Sequence, residues 1–589
     1  MGAGFDAGSA VRRSLVALGR EPADVILTGG DLVNVYTGEL LKDQQVLIAG
    51  ERIAYVGPER DFPVGDQTEV VDVRGRVIIP GLIDGHFHMD VWLEPQEFVA
   101  LTLPRGTTAL ITETSGVAAS RGVDGLRRFL ERFRGYPQRL YATAPMIAFL
   151  CAGRGEGRRS VEPAEMEEIL TWPEIVGLGE IYWSRLLNGA PSPVVMELIA
   201  GAVRLGKTVE GHGAGARKRK LAAFAACGVD ACHEAITAEE VRERLRLGMD
   251  AMIREGSIRR ELETVIPPLL RMGLDLRRAM FVSDTVWPND LVKYGHMDFI
   301  LNRAIALGLD PIRAIQMGSL HVAEHFHLDG DLGGIAPGKC ADLVVIPDPA
   351  HIEPELVFCR GRLVARNGKL TVELPAETEA GSGQELRLPR VDAGYFHVPA
   401  APPEASVRVM KMVADIVNEE ISLALPVING QVTAAPDGDV LKVAVIDRFA
   451  PDSRRSIGFF QGFGLRRGAL GSSFSFDGGN PVVIGADERD MAAVVNRIGE
   501  LGGGIVFCRD GRVVEELPLA VGGVRAALSG RLVAEKIEAL LAALKEAGCK
   551  SENPLLTLLT LTFTAIPALR LTARGCWLAR ENRYVDLFI

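Results

Sequence analysis

The segment that most constrains the fold covers residues 77–90 and reads VIIPGLIDGHFHMD. Its apolar residues predict a buried strand that ends at His86 and His88. Residues i and i+2 of a strand point to the same side, so both imidazoles face one direction. Two neutral imidazoles that converge on one point suit a divalent transition metal. The alternative interpretation is two polar residues in an ordinary loop.

Residues 81–333 alternate candidate strands with stretches of helical periodicity. The predicted strands are 78–83, 107–112, 140–144, 175–179, 208–210, 228–232, 250–253 and 278–282. Eight strands that alternate with helices over about 250 residues are typical of a (β/α)8 TIM barrel. A doubly wound sheet is the structural alternative, because periodicity alone does not show closure.

Short β runs with glycine turns flank this region on both sides. We therefore expect residues 1–80 plus 334–385 to form one composite β-sandwich, closed by both ends of the barrel at residues 81–333. Residues 386–589 mix β runs with helices and predict an additional C-terminal α+β domain. The fold class predicted for the whole chain is α/β.

The barrel prediction places chemistry at the carboxyl ends of the strands. Residues that can bind a metal fall there after five of the eight predicted strands. They are His86 and His88 after the first strand, Glu180 after the fourth, His212 after the fifth, His233 after the sixth and Asp284 after the eighth. Any one of them alone is more often structural, but six at corresponding positions predict a metal centre.

This order of residues on such a barrel resembles the amidohydrolase superfamily, in which many members carry a carboxylated lysine where this chain has Glu180. Residues 211–212 (GH), 248–257 and 295–298 (GHMD) resemble the bacterial adenine deaminases. Residues 462–465 (GFGL), 471–473 (GSS), 490–493 (DMAA) and 502–504 (GGG) are similar to the extra C-terminal domain of that family. The resemblance to a divergent adenine deaminase covers nearly the whole chain after residue 23.

The chain departs from the family pattern at three places. After the second strand, residues 112–116 read TETSG, which keeps a carboxylate at Glu113 but has Ser115 and Gly116 where the family has His and Glu. After the eighth strand, Thr285 and Trp287 replace a carboxylate and a His. In the C-terminal domain, residues 476–480 read FDGGN where the family has HDSHN. Such changes predict a different substrate more readily than a different reaction class, because buried polar groups of a pocket must be paired.

The resemblance implies two divalent metal ions bridged by Glu180 and by a hydroxide, with manganese favoured and iron or zinc possible. The first ion would be held by His86, His88 and Asp284, and the second by His212 and His233. The implied reaction is a hydrolytic deamination, in which adenine and water give hypoxanthine and ammonia.

The roles that follow from this chemistry are catalytic for Asp284, Glu180 and His233. Asp284 would move the proton from the hydroxide to the leaving nitrogen, and His233 would polarise the attacked group. Glu113, Arg254 and Glu255 are candidate substrate-binding residues, with a surface ion pair as the alternative for the last two.

Two other functions are kept open. A related dinuclear amidohydrolase would act on a different aminopurine-like heterocycle, a cyclic amide or an amidine. A non-catalytic barrel would retain the fold for binding or assembly. Ammonia release separates the first from adenine deamination, and bound-metal analysis identifies the second.

Composition bounds the partners and the location. A net charge of -11 and a pI near 5.6 argue against a nucleic-acid-binding surface and favour a small-molecule substrate. The eight cysteines form no C-x-x-C pair, which is typical of the reducing cytoplasm. We expect no signal peptide and no membrane span, since the apolar stretch 554–569 is short and broken by threonines. A homodimer or higher homo-oligomer is expected.

Three further histidines are not expected to bind metal. His321 and His325 share a helical pattern after the last strand, and we expect that helix on the outside of the barrel. His296 is expected to order the loop after the eighth strand.

Overall fold

The computed structural model describes residues 6–89, 91–150, 161–187, 191–375, 386, 388–401, 403–414, 416–448, 454–476, 479–564, 566 and 568–589. Within them, eight parallel strands form the barrel sheet in chain order. These barrel strands are Leu82–His88, Thr107–Glu113, Arg139–Pro145, Ile175–Tyr182, Thr208–His212, Ala231–Cys232, Asp250–Arg254 and Ala279–Val282. The predicted (β/α)8 architecture is confirmed.

The barrel closes between its first and last strands. The N–H of Asp284 donates to the carbonyl of His86 at 2.9 Å, and the carbonyl of Asp284 accepts from the N–H of His88 at 2.9 Å. Asp284 has a φ of 59°, a left-handed conformation that side chains other than glycine rarely adopt. The two hydrogen bonds across the closure hold it there.

The first predicted strand, 78–83, is two strands in the structure. Val77–Pro80 belongs to the flanking sheet, and the barrel strand begins at Leu82. Pro80 lacks an N–H, and a Cβ on Gly81 would lie 2.1 Å from Oγ1 of Thr108. The chain therefore changes sheets at this Pro-Gly pair, where only glycine fits the close approach.

The two flanks combine in one hydrogen-bonded sheet. Its strands are Val25–Asn34, Glu39–Ala49, Arg52–Gly57, Glu69–Asp72 and Val77–Pro80 from before the barrel, and Leu343–Ile346, Leu356–Cys359, Arg362–Arg366 and Lys369–Leu370 from after it. The join is antiparallel, with Val344 opposite Ile79. Val46, Ile78 and Val345 pack together in one buried apolar cluster, which contains side chains from both flanks.

Helices surround the barrel strands and follow most of them. They are Pro95–Thr102, Ser115–Phe133, Met146–Leu150, Pro163–Leu170, Trp183–Leu186, Pro193–Arg204, Arg219–Ala226, Ala238–Arg246, Leu262–Met272, Pro288–Tyr294, Met297–Ala306, Pro311–Met317 and Leu320–His325, and Ala7–Ala17 precedes the first sheet. Among the residues that the structure describes, none of the helices combines the length and the apolar character that a membrane crossing requires.

The helix Leu320–His325 lies against the inside of the barrel, so its predicted place on the outside is wrong. Val322 and Ala323 are fully buried in one cluster with the inward-facing Ile83, Met252 and Met280. The carbonyl of Gly318, just before the helix, accepts from the N–H of Ile83 near the start of the first barrel strand. The helix therefore closes the amino-terminal end of the barrel, opposite the strand ends that carry the candidate ligands.

In its described residues, the C-terminal part forms a second large sheet with three α-helices. The sheet contains Glu404–Ala414, Val417–Ile428, Gln431–Val432, Val440–Ile446, Arg455–Gln461, Ala469–Ser472, Val482–Gly485, Gly504–Arg509 and Arg512–Pro518. The helices are Glu488–Glu500, Gly530–Glu546 and Pro554–Thr560, and a smaller sheet contains Leu569–Thr572, Gly575–Leu578 and Arg583–Val585. This mixture is the predicted α+β arrangement.

The C-terminal part contacts the carboxyl end of the barrel. Trp92–Leu93, which follows the first barrel strand, pairs in parallel with Arg525–Ala526. The side chain of Asn289, after the eighth strand, donates to Glu538 at 2.6 Å. The C-terminal part therefore lies over the end of the barrel where the candidate ligands are.

Candidate metal centre

The candidate ligands meet at the carboxyl end of the barrel, as the strand-end rule predicts. His86 and His88 end the first strand, Glu180 lies two residues before the end of the fourth, and His212 ends the fifth. His233 follows the sixth strand and Asp284 the eighth. Among the described residues, two groups of three residues each have ligand atoms that all lie within 4.8 Å of one another. One group is His86, His88 and Glu180, and the other is Glu180, His212 and His233.

Glu180 stands between the two groups. Its Oε2 lies 2.7 Å from Nδ1 of His212 and 3.1 Å from Nε2 of His233, while its Oε1 lies 3.6 Å from Nε2 of His88. Oδ1 of Asp284 lies 3.4 Å from Nε2 of His88 and 3.8 Å from Nε2 of His86. Glu180 therefore lies close to imidazole nitrogens of both groups, and Asp284 lies close to those of His86 and His88.

The protonation states suit cation binding. Burial, together with the neighbouring His233, lowers the pKa of His86 to about 3, so this imidazole is neutral near pH 7. Burial would raise the pKa of Glu180, but the imidazoles of His233 and His212 hold it well below its usual range. Nε2 of His86 is buried and has no hydrogen-bond partner among the described residues. A buried, neutral nitrogen without a partner beside ionised carboxylates fits a divalent metal ion.

A second group of carboxylates, Glu234 and Glu261, contacts Arg254 next to these residues. The sequence did not predict this group. Glu234 pairs with Arg254, which also donates to Glu261 at 2.7 Å and to Oδ2 of Asp284 at 3.2 Å. Oε1 of Glu234 lies 3.6 Å from Nε2 of His233 and 3.8 Å from Nδ1 of His212. Burial would raise the pKa of Glu234, but Arg254 lowers it to about 2. Its position directly after His233 was the available signal.

Asp84 joins the two strands that carry His86 and Asp284. Its fully buried carboxylate accepts from the N–H of His86 at 3.3 Å and from the N–H of Ser283 at 3.1 Å, and also from the Ser283 hydroxyl. Nε2 of His296 lies 3.1 Å from Asp84, and Nδ1 of His296 lies 2.9 Å from the hydroxyl of Thr107. His296 thus belongs to the support behind the first strand.

The three predicted substrate-binding residues occupy different surroundings. Glu113 accepts from the N–H and the hydroxyl of Ser115, and its Oε2 lies 3.9 Å from Nδ1 of His88. The guanidinium of Arg254 reaches Asp284, whereas Glu255 turns the other way. Glu255 accepts from the N–H of Leu262, and its Oε1 lies 3.0 Å from Arg303. Successive strand residues point to opposite faces, which explains why the structure separates this pair.

Tryptophans follow the first and the eighth strands. The rings of Trp92 and Trp287 lie 5.1 Å apart, and Trp92 meets Phe474 of the C-terminal part edge to face at 5.7 Å. Both indoles are 2% exposed. Trp92 therefore forms a buried aromatic contact between the barrel and the C-terminal part, and Trp287 packs against Trp92.

Comparisons with known proteins agree with this arrangement. Residues 77–364 match the model of the amidohydrolase family, and residues 415–582 match that of the adenine deaminase C-terminal domain. An adenine deaminase of Moorella thermoacetica is 36% identical over 587 residues, which cover 98% of each chain. One of Cenarchaeum symbiosum is 34% identical over 578 residues, which cover 98% of this chain and 94% of the relative.

A solved structure is also similar to part of the chain. A beta-aspartyl dipeptidase of Fervidobacterium islandicum covers 60% of this chain and 99% of its own, with a TM-score of 0.46 and 16% sequence identity.

Proposed function

The chain belongs to the adenine deaminase family of amidohydrolases, and from that premise we propose that its barrel centre hydrolyses the exocyclic C–N bond of adenine. The products are hypoxanthine and ammonia. The observation that carries this proposal is the sharing of Glu180 by both groups of ligand atoms in a chain similar to adenine deaminases over nearly its full length.

The amidohydrolase family uses divalent metal ions, and this chain offers ligands for two of them. We propose that His86, His88 and Asp284 hold one ion, that His212 and His233 hold the other, and that Glu180 contacts both. Bound ions of this kind act as Lewis acids and lower the pKa of water toward neutrality. Manganese is the proposed metal, with iron or zinc as alternatives, since a mixed nitrogen and oxygen shell accepts all three.

Asp284 moves the proton in the proposed reaction. Burial would raise its pKa, but His88 and Arg254 hold the pKa of its carboxyl well below the usual range, so it is ionised and can act as a base. It accepts a proton from the attacking water and returns it to the exocyclic nitrogen as the C–N bond breaks. Arg254 holds Oδ2 of Asp284 at 3.2 Å and thereby orients the carboxylate.

The remaining candidate residues support this step. His233 is proposed to polarise the attacked group, and its ring stacks on His86 with centroids 4.2 Å apart, which fixes its plane. Glu113 is proposed to orient His88, because carboxylates next to metal-binding imidazoles set their rotation. We propose that Arg254 acts on substrate through Asp284, and that Glu255 has no direct part.

A related heterocycle is the second candidate substrate. It is favoured by Trp287, which stands where the family has a His and lies buried against Trp92. An indole in place of an imidazole removes a polar partner near the site, which changes the preferred substrate more readily than the reaction class.

Ammonia release with chromatographic identification of the purine product tests the proposal. The protein is loaded with manganese and incubated with adenine and with a panel of aminopurines, cyclic amides and amidines. We expect hypoxanthine and ammonia in equal amounts from adenine. Ammonia from another member of the panel and none from adenine would favour the second candidate. Fewer than two ions per chain and no turnover would favour a non-catalytic barrel.

Purine metabolism is the proposed physiological context, and a cytoplasmic location and a homo-oligomer stay predictions of the sequence. Light scattering of the purified protein measures the oligomer directly.

A further inference from the structure

A small apolar cluster lies beside the ligand residues and takes one member from the C-terminal part. It consists of Ile147, Tyr182 and Phe563. Ile147 lies in the helix after the third barrel strand, and Tyr182 ends the fourth strand, two residues after Glu180. Phe563 follows the helix Pro554–Thr560. The cluster therefore joins two elements of the chain that are almost 400 residues apart.

The cluster extends outward from His212. The ring of Tyr182 meets the His212 imidazole edge to face, with centroids 4.7 Å apart. The centre of the Phe563 ring lies 6.1 Å from that of Tyr182, at an interplanar angle of 44°. Tyr182 is 2% exposed, whereas Phe563 is only partly buried. Phe563 thus presents an accessible aromatic surface one ring away from a ligand residue.

Polar contacts fix the position of Phe563 against the barrel. Arg185, in the helix directly after the fourth strand, donates to the hydroxyl of Thr564 at 3.0 Å and to Oδ1 of Asn582 at 2.6 Å. Its guanidinium also lies 5.7 Å from the centre of the Trp577 ring. Because Thr564 is the next residue in the chain, these contacts hold Phe563 beside Tyr182.

We propose that Phe563 is a specificity-determining residue, whose partly buried ring, supported from behind by the buried Tyr182, forms an aromatic wall for the flat ring of the substrate. This inference rests on the proposed function, since it assumes a heteroaromatic substrate with its C–N bond toward the ligand residues. Bases stack on aromatic side chains with little dependence on polar substituents. The fourth strand lies across the barrel from the eighth, which neighbours the first strand where the barrel closes. Trp287 follows the eighth strand and Trp92 the first, so both lie across the barrel from this wall. The C-terminal part then completes the substrate site.

The test compares Phe563→Ala with Phe563→Tyr and with Phe588→Ala in the manganese-loaded full chain. Phe588 is a matched control, because it is a C-terminal phenylalanine that is 43% exposed. Steady-state ammonia release gives KM and kcat for adenine, and calorimetry gives the Kd for hypoxanthine. Metal content and Tm are measured for each variant.

We expect Phe563→Ala to raise both KM for adenine and Kd for hypoxanthine by roughly 10-fold, with kcat within about 3-fold of the wild type. Phe563→Tyr keeps a ring and should restore both values, and Phe588→Ala should change neither. A loss of metal or of Tm in Phe563→Ala without a change in Kd would overturn the wall and assign the residue a structural role.

The two proposals fail in different ways. If the wild type releases no ammonia from adenine but binds hypoxanthine, the proposed function is wrong and the Kd series still decides whether the wall exists. If the wild type turns over adenine with the same KM in Phe563→Ala, the wall is wrong and the proposed function stands. If neither purine binds, both are overturned.

Discussion

Imidazole and carboxylate groups cluster at both ends of this barrel, and two of the buried histidines, His86 and His325, have pKa values shifted in opposite directions. At the carboxyl end, His86 is stacked on His233 and has a pKa lowered to about 3 by burial and by that neighbour. At the amino end, Nε2 of His325 lies 2.8 Å from Glu210, and its Nδ1 lies 3.1 Å from Asp250. Burial would lower the pKa of His325, but these two carboxylates raise it to about 10.

Burial lowers the pKa of both histidines, and the difference arises because two carboxylates outweigh burial at His325 and not at His86. His86 stays neutral beside His233, and its buried nitrogen is available to a metal ion. Where one imidazole lies between two carboxylates it stays charged and forms a structural ion pair. The barrel thus has the candidate metal centre at one end. At the other end, ion pairs of His325 join the closing helix to the strands.

The largest expected effect comes from Asp284→Asn at the carboxyl end. The amide keeps the shape but cannot accept a proton, so kcat for ammonia release should fall by about 10²- to 10⁴-fold. Circular dichroism and urea unfolding serve as controls and should show a folded protein. Unchanged turnover would remove Asp284 from the proton-transfer role.

His325→Gln should lower the unfolding free energy through the amino end of the barrel. Removing one member of a buried ion pair leaves carboxylates without compensation and costs about 3–5 kcal/mol of unfolding free energy. Urea denaturation measures this loss, while kcat of the folded enzyme should stay within about 2-fold. Loss of metal with unchanged stability would contradict the separation between the two ends.

The pH dependence of the unfolding free energy should report the charge of His325 in the folded protein. The pKa of His325 is raised from 6.5 when unfolded to about 10 when folded. Its contribution is therefore fully present below pH 6.5 and is lost as the pH rises toward 10. Urea midpoints of the wild type should fall across this window more steeply than those of His325→Gln. Parallel curves would show that His325 is not charged in the folded protein.

Metal removal is expected to have a smaller effect on stability. Ions bound at about 100 times their Kd stabilise the folded state by about 2.7 kcal/mol. Chelation should therefore abolish ammonia release and lower Tm by a few degrees, and manganese should restore both. The destabilisation caused by His325→Gln should persist in the chelated protein, since it arises at the opposite end.

Glu255→Gln should have the smallest effect. Glu255 turns away from the ligand residues and accepts from the N–H of Leu262, which the amide oxygen of glutamine can replace. We expect kcat/KM for adenine within about 2-fold of the wild type. A large rise in KM would return Glu255 to the substrate-binding set.

The sequence predicted the barrel and the convergence of its candidate ligands because both follow from local patterns. Strand ends can be read from apolar runs, and the strand-end rule then brings His86 and Asp284 together across nearly 200 residues. The contact of Asp84 with Ser283 was not predictable, since it depends on the register at which the barrel closes. The inward-facing helix that carries His325 was missed because its apolar face also suits an outer helix.

Two arrangements near the centre differ in how far the sequence could predict them. Arg254 ends its strand and Glu255 directly follows it, and the two side chains point to opposite sides, as successive residues of an extended chain do. Glu234 directly follows His233, but the strand has ended there and alternation no longer applies. Its contact with Arg254 is a tertiary feature that needs coordinates.

Titration of the metal-free protein with manganese, followed by ammonia release from adenine, tests the central claim most directly. We predict that activity rises to a plateau at two ions per chain, and that Glu180→Gln, which weakens the shared ligand, reaches little activity at any ratio. A plateau at one ion per chain, or full activity in Glu180→Gln, would contradict a centre organised around Glu180.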